Sequence, residues 1–303
     1  MALYHKYRPN SLQMLLGNEE LIDSLESVLS RETPPQAFLF TGPTGCGKTT
    51  LGRITANMLG CVGDDYVELD SAQFTGVDTI REIRQQSHLQ PYEGDCRVWL
   101  LDEMHQLSTP AQNALLKALE DTPKHVHYIL CTTDPQKVLD TIKGRCSQFK
   151  VEPLNENDMG KLLKRVCKKE GVQIEQDVLD QITEDSLGYP RNALQVLDKV
   201  IGLPAKKRLA AAKKAGEAQS QSIELCRALL NGVGWAKVAG LLTAMQGQKP
   251  EDIRSHIRHY CNSVLLKKKN DIAFGILQEF EEPRYGVDWP SITACCYTII
   301  NSK

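Results

Sequence analysis

Between residues 37 and 151 the chain alternates short apolar runs with stretches of helical period. The runs at 37–41, 66–69, 97–101, 127–131 and 148–151 have the length and continuity of strands buried on both faces. Helical patterns separate them, among them Thr50–Leu59 and Asp78–Gln86, so the region predicts a parallel α/β sheet. Ahead of it lie Tyr7-Arg8-Pro9, a turn at Gly17-Asn18 and a helix over Glu19–Ser30. Residues 153–201 predict helices with breaks near Gly171 and Gly188. From Gly202 onward no strand pattern remains. Residues 222–302 predict helices broken at Gly232–Gly234, Gly247–Pro250 and Pro283–Pro290. The Ala-, Lys- and Gln-rich stretch Pro204–Ser222 marks an expected domain boundary, and its basic run at 206–214 is expected to be a solvated helix face.

The first apolar run leads into Gly42-Pro43-Thr44-Gly45-Cys46-Gly47-Lys48-Thr49, a complete phosphate-binding loop in strand–loop–helix context. Its glycines let backbone N–H groups and the helix N-terminus approach phosphate oxygens. Gly42, Gly45, Gly47, Lys48, Thr49 and Thr50 are the expected ATP-binding positions, with Lys48 on the β- and γ-phosphates and Thr49 on Mg²⁺. The run Val98–Leu101 ends in Asp102-Glu103, 54 residues beyond Lys48. Strand ends of this kind collect ligands in open parallel sheets. Asp102 is the expected second Mg²⁺ ligand and Glu103 the base that orients and deprotonates the attacking water. Thr133 ends another apolar run and is aimed at the γ-phosphate or that water. Arg145, after a short helix, and Arg191, near a helix start, cannot be argued into a site from spacing alone.

Composition narrows the picture modestly. At 303 residues the chain accommodates two or three domains. A net charge of −2 leaves any nucleic-acid contact to a local basic face. No apolar stretch approaches a membrane span, and residues 1–30 lack the apolar core of a secretory signal, so no membrane partner is expected. Ten cysteines occur without a C-x-x-C pair, which gives no strong zinc signal and points to a reducing, intracellular compartment.

These motifs together resemble the clamp-loader group of AAA+ ATPases, in particular bacterial gamma/tau-type subunits, over about residues 3–200. Tyr7-Arg8-Pro9 and Leu16–Glu19 are similar to the family's lead-in segment, and Asp102–Ser108 to its carboxylate motif. Gln112–Glu120 resembles the following helix, Thr132–Lys137 sensor 1, Gly144-Arg145-Cys146 the trans arginine finger, and Gly188–Leu194 the sensor 2 helix. The resemblance implies an α/β P-loop NTPase (AAA+) core with a parallel sheet over 1–150. A small helical lid over 151–202 and an all-α collar over 203–303 would follow.

It also implies an ATP-hydrolysing motor subunit that opens a sliding clamp and loads it on primer-template DNA. Its partners would be other clamp-loader subunits in a pentameric ring. Tyr7, Arg8 and Pro9 would line the nucleotide, Thr133 and Arg191 would sense it, and Arg145 would serve the neighbour's ATP. Gln112 would couple DNA contact to the ATP site, and Arg81 and Arg84, on one helix face, would meet the DNA backbone. The family's four-cysteine zinc module shrinks here to Gly60–Asp65 with one cysteine, so no zinc is expected, and Gly144 replaces the usual serine. The trimmed form suits a phage-encoded system, with a cytoplasmic setting in either case. A fork-remodelling or DNA-repair AAA+ ATPase is the alternative; Arg145-Cys146 and the strand-free helical tail argue against it.

Overall fold

The structure is a computed structural model that describes residues 1–303 apart from 72, 220, 249, 282–287 and 302–303, and apart from the side chains of 217–219, 252, 259 and 267. The chain forms two compact units. One comprises Met1, Leu3–Asp158 and Tyr189–Arg191; the other comprises Ala2, Met159–Gly188 and Asn192–Lys303.

The first unit is built on a parallel sheet. Its strands are β1 (Ala37–Thr41), β2 (Tyr66–Asp70), β3 (Arg97–Asp102), β4 (Val126–Thr132) and β5 (Ser147–Lys150), ordered β2-β3-β4-β1-β5. Each lies within a residue of the apolar run that predicts it. Helices α1 (Leu3–Lys6), α2 (Glu19–Leu29), α3 (Lys48–Met58), α4 (Val77–Ser87), α5 (Thr109–Glu120) and α6 (Asp140–Lys143) surround the sheet. Strand alternation sorts the core into two layers. Phe38, Phe40, Val98, Leu100 and Ile129 pack with Leu51 and Ile54 of α3 on one face. Leu39, Trp99, Leu101, Tyr128 and Leu130 meet Ile80, Ile83 and Leu115 on the other. The strands read as continuous apolar runs because both faces are covered.

Glycine sets how closely α3 approaches the sheet. A Cβ at Gly52 would stand 2.5 Å from Leu100 Cδ1 and 3.1 Å from Ile129 Cγ2. The helix begins at Lys48, two residues before its apolar pattern does, because the left-handed turn at Gly47 (φ 110°) releases the chain directly into it.

The second unit is helical. It contains the body of α7 (Glu156–Glu170), then α8 (Gln176–Asp185), α9 (Pro190–Val200) from Asn192 onward, α10 (Ala205–Gln219), α11 (Gln221–Leu230), α12 (Trp235–Ala244), α13 (Pro250–Lys267), α14 (Asp271–Glu281) and α15 (Trp289–Asn301). No strand occurs there among the described residues. Val238, Leu242 and Met245 are buried with Ile223, Ile257 and Ile276, so the apolar spacing along α12 packs into the core of this unit. Most of the Pro204–Ser222 stretch forms helix α10, packed on α8, with Ala212 and Ala215 buried and Lys206, Lys207, Lys213 and Lys214 exposed. Arg208 departs from that solvated face: it donates to the carbonyls of Leu203 and Gln173 at 2.8 Å. The break between α13 and α14 escapes the Gly/Pro signals. Asn270 makes it, its Oδ1 accepting from Ala273 N at 3.0 Å as a helix cap. The core of the expected break at Pro283–Pro290 falls on 282–287, outside the described residues.

Candidate active site

Parallel pairing brings the C-terminal ends of β1, β3 and β4 to one edge. Thr41 lies opposite Thr132, Leu101 opposite Leu130, and Gly42 N donates to Thr132 O at 3.3 Å. The phosphate-binding loop, the Asp102-Glu103 pair and Thr133 are therefore neighbours.

Gly42, Gly45 and Gly47 have φ of 149°, 81° and 110°, a path that side-chain-bearing residues rarely follow. A Cβ on Gly42 would also run 2.3 Å from Val151 O. Around Gly47 nothing stands within 4 Å of such a Cβ, which leaves the helix N-terminus open to an anion. Lys48 is buried, and its Nζ donates to Pro43 O at 2.9 Å, curled back into the loop. Cys46, between two of the glycines, donates its thiol to the same carbonyl, and burial pushes its pKa up, so it stays a neutral thiol. The Thr49 hydroxyl donates to Asp102 Oδ2 at 2.7 Å. Two oxygen ligands held together, with phosphates to supply more, suit Mg²⁺, which keeps only one or two protein ligands at such sites. Thr50 lies in the first turn of the same helix, and all these residues fit a nucleoside triphosphate with its cation.

Glu103 occupies a left-handed conformation (φ 49°, ψ 39°) as the chain leaves β3. Its N–H bonds back to Asp102 Oδ1 at 3.0 Å. Its Oε2 accepts from the Thr133 hydroxyl at 3.1 Å. Thr133, expected near phosphate or water, thus holds the carboxylate itself in this state.

Arg191, at the start of α9, has its Cβ 3.5 Å from the position a Cβ on Gly45 would take, which sets it beside the loop. Arg8 is half-buried, with its pKa lowered by burial and by the nearby charges of Arg53 and Arg191. Arg53 makes a two-pronged pair with Glu68 at 2.8 Å, and Tyr66 donates to the same carboxylate at 2.6 Å. Tyr7 and Pro9 flank Arg8 and are partly buried.

Gln112 is buried. Its Nε2 donates to Lys137 O at 3.0 Å and its Oε1 accepts from Leu139 N at 3.0 Å, tying α5 to the segment between β4 and α6. Arg81 pairs with Asp78 and Arg84 with Asp121, both at 2.9 Å and exposed.

Arg145 stands apart. It donates to Thr141 O at 3.1 Å and to Glu120 Oε1 at 2.6 Å at the end of α5. Strand β5 opens with Ser147 opposite Phe38, while the phosphate loop follows Thr41 at the other end of β1. The offset along the sheet is about six residues, or roughly 20 Å, beyond the reach of an arginine side chain. Arg145 therefore cannot serve its own loop. Sequence reasoning missed His105, Thr132 and the Arg53–Glu68–Tyr66 cluster, since a lone histidine after an acidic pair and a mid-helix arginine carry no spacing signal.

Sheet order, glycine loop and strand-end carboxylates define a P-loop ATPase fold of the AAA+ type. Over about two thirds of its length the chain is homologous to the gamma and tau subunits of bacterial DNA polymerase III. It is 37% identical over 224 residues to the gamma/tau subunit of Mycobacterium tuberculosis, covering 66% of this chain and 39% of that protein. The Bacillus subtilis tau subunit matches at 33% over 66% of this chain and 39% of its own length. The gamma subunit of Buchnera aphidicola (Schizaphis graminum) matches at 33% over 66% and 61%. The chain thus spans less than two thirds of these relatives. A family model described as DNA polymerase III, delta subunit, matches residues 64–155. Among solved structures, the Thermotoga maritima RuvB Holliday junction branch migration motor superposes with a TM-score of 0.61 at 20% identity, over 78% of this chain and 85% of that one. That likeness establishes the fold alone.

No helix among the described residues is long and apolar enough to cross a membrane.

Proposed function

We propose that this protein is an ATP-hydrolysing motor subunit of a sliding-clamp loader, opening a polymerase clamp and loading it on primer-template DNA. The similarity to gamma and tau subunits supports the replication setting. The observation that carries the reading is the separation of Arg145 from its own loop. A complete site on one edge and an arginine stranded at the other suit a ring of like subunits, pentameric by the family resemblance, in which each lends Arg145 to the next.

Within one subunit, Lys48 and the loop N–H groups bind the β- and γ-phosphates, and Thr49 and Asp102 hold Mg²⁺. A bound cation would there supply positive charge to the phosphate oxygens. Glu103 takes a proton from the attacking water. Thr133 releases Glu103 and turns to the γ-phosphate or water when nucleotide enters, and Arg191 reads the same phosphate from the start of α9. Arg145 leaves Glu120 for the neighbour's γ-phosphate. Exposed pairs of this kind are worth about 0–1 kcal/mol, so the exchange costs little. The same holds for Arg81 and Arg84, which exchange Asp78 and Asp121 for DNA phosphates. Gln112 transmits that contact to the segment leading toward Arg145.

Glu103→Gln is expected to bind ATP with parental affinity while steady-state hydrolysis disappears. Parental turnover in that variant would remove Glu103 as the base. Joint stimulation of hydrolysis by clamp and primed DNA supports loading; indifference to the clamp would favour a fork-remodelling ATPase instead.

A further inference from the structure

We propose that His105 is a positioning residue for Glu103, a role that rests on the ATPase reading above. His105 sits in the short turn Met104–Gln106 that follows the left-handed Glu103, and its side chain is only 7% exposed. Its Nδ1 lies 3.4 Å from Glu103 Oε2 and 3.1 Å from Thr132 Oγ1. Its Nε2 lies 3.0 Å from the side-chain nitrogen of Gln106. An amide nitrogen can only donate, so Nε2 is the acceptor and the neutral ring carries its hydrogen on Nδ1. That hydrogen is shared with the Thr132 hydroxyl oxygen, and the same Nδ1 stands beside the Glu103 carboxylate. Thr132 is fixed in turn, its Oγ1 accepting from Asp134 N at 3.0 Å. Glu103 Oε2 thus has two neighbours, the Thr133 hydroxyl that donates to it and the His105 Nδ1 that stands 3.4 Å away.

The consequence differs between these two neighbours. Thr133 must let go for the sensing role assigned to it, whereas His105 belongs to the same turn as Glu103 and moves with it. His105 keeps the carboxylate oriented after Thr133 has turned to nucleotide. A base misplaced by even an ångström loses much of its effect.

Three substitutions separate positioning from mere packing. The amide nitrogen of asparagine falls where Nδ1 falls; that of glutamine falls where Nε2 falls. His105→Ala and His105→Gln should lower kcat by about tenfold or more, with the KM and Kd for ATP within twofold of the parent. His105→Asn should recover most of kcat even where its Tm matches that of the glutamine variant. Histidine ¹⁵N spectra should show the His105 ring protonated on Nδ1, with a signal that moves in Glu103→Gln. Equal losses in the asparagine and glutamine variants, parental kcat in the alanine variant, or a ring protonated on Nε2 would each overturn the proposal. Should Glu103→Gln itself keep full turnover, the underlying ATPase reading fails instead.

Discussion

At the scale of single residues, buried charge is placed where backbone donors surround it. Asp65 is wholly buried before β2, and burial alone would raise its pKa. The N–H groups of Tyr92, Glu93 and Gly94 at 2.7–2.9 Å, and Arg97 at 3.2 Å, outweigh burial and hold it well below the usual carboxylate range. A depressed carboxylate pKa contributes stability that is present above the unfolded value, near pH 4, and is lost as pH falls below it. Asp65→Asn should therefore cost about 1–3 kcal/mol at pH 7, and its Tm should fall less steeply than the parent's between pH 5 and 3. Parallel melting profiles would contradict this. Sequence alone gave no hint of Asp65, because its partners are backbone groups some thirty residues away. Lys48, Thr49 and Asp102 were legible because their chemistry forces a fixed local spacing. Thr133 was legible in position but not in partner, since the pattern of a strand end does not say which way its hydroxyl turns.

Among elements, strands were easier to read than helix boundaries. Strands buried on both faces leave continuous apolar runs, and β1 to β5 follow those runs. The start of α3 depends on a glycine dihedral, and the α13–α14 break on one asparagine cap, neither of which alters hydrophobic period. The junction between α8 and α11 was invisible for a different reason: it is an ion pair between distant residues. Arg227 donates to both oxygens of Asp185 at 2.6 and 2.8 Å, and to Lys213 O at 3.2 Å. Burial still pushes Asp185 up to about 6 against the pull of Arg227. A Cβ on Gly216 of α10 would stand 2.5 Å from Asp185 Oδ2, so glycine there gives the carboxylate its room. Removing one partner of such a pair strands the other. Arg227→Met should destabilise the helical unit by about 3–5 kcal/mol in denaturant unfolding, and adding Asp185→Asn should restore part of it. A double variant no more stable than Arg227→Met would show that packing, not charge, dominates there.

For the whole molecule, the fold and one half of the candidate site were written in local pattern. The other half was not. Nothing in the spacing of Arg145 assigns it a role, and only the β1–β5 register reveals that it lies at the other end of the sheet from its own phosphate loop. The central claim, a nucleotide site completed by the next subunit, is tested most directly by mixing two disabled chains. Glu103→Gln keeps Arg145 but lacks the base; Arg145→Ala keeps the base but lacks the arginine. Each alone should assemble and hydrolyse ATP about 10³-fold or more below the parent. Mixed rings should regain turnover, because wherever an Arg145→Ala site faces a Glu103→Gln neighbour all the parts are present. Hydrolysis that stays at the level of the separate variants, or an Arg145→Ala assembly as fast as the parent, would contradict the account.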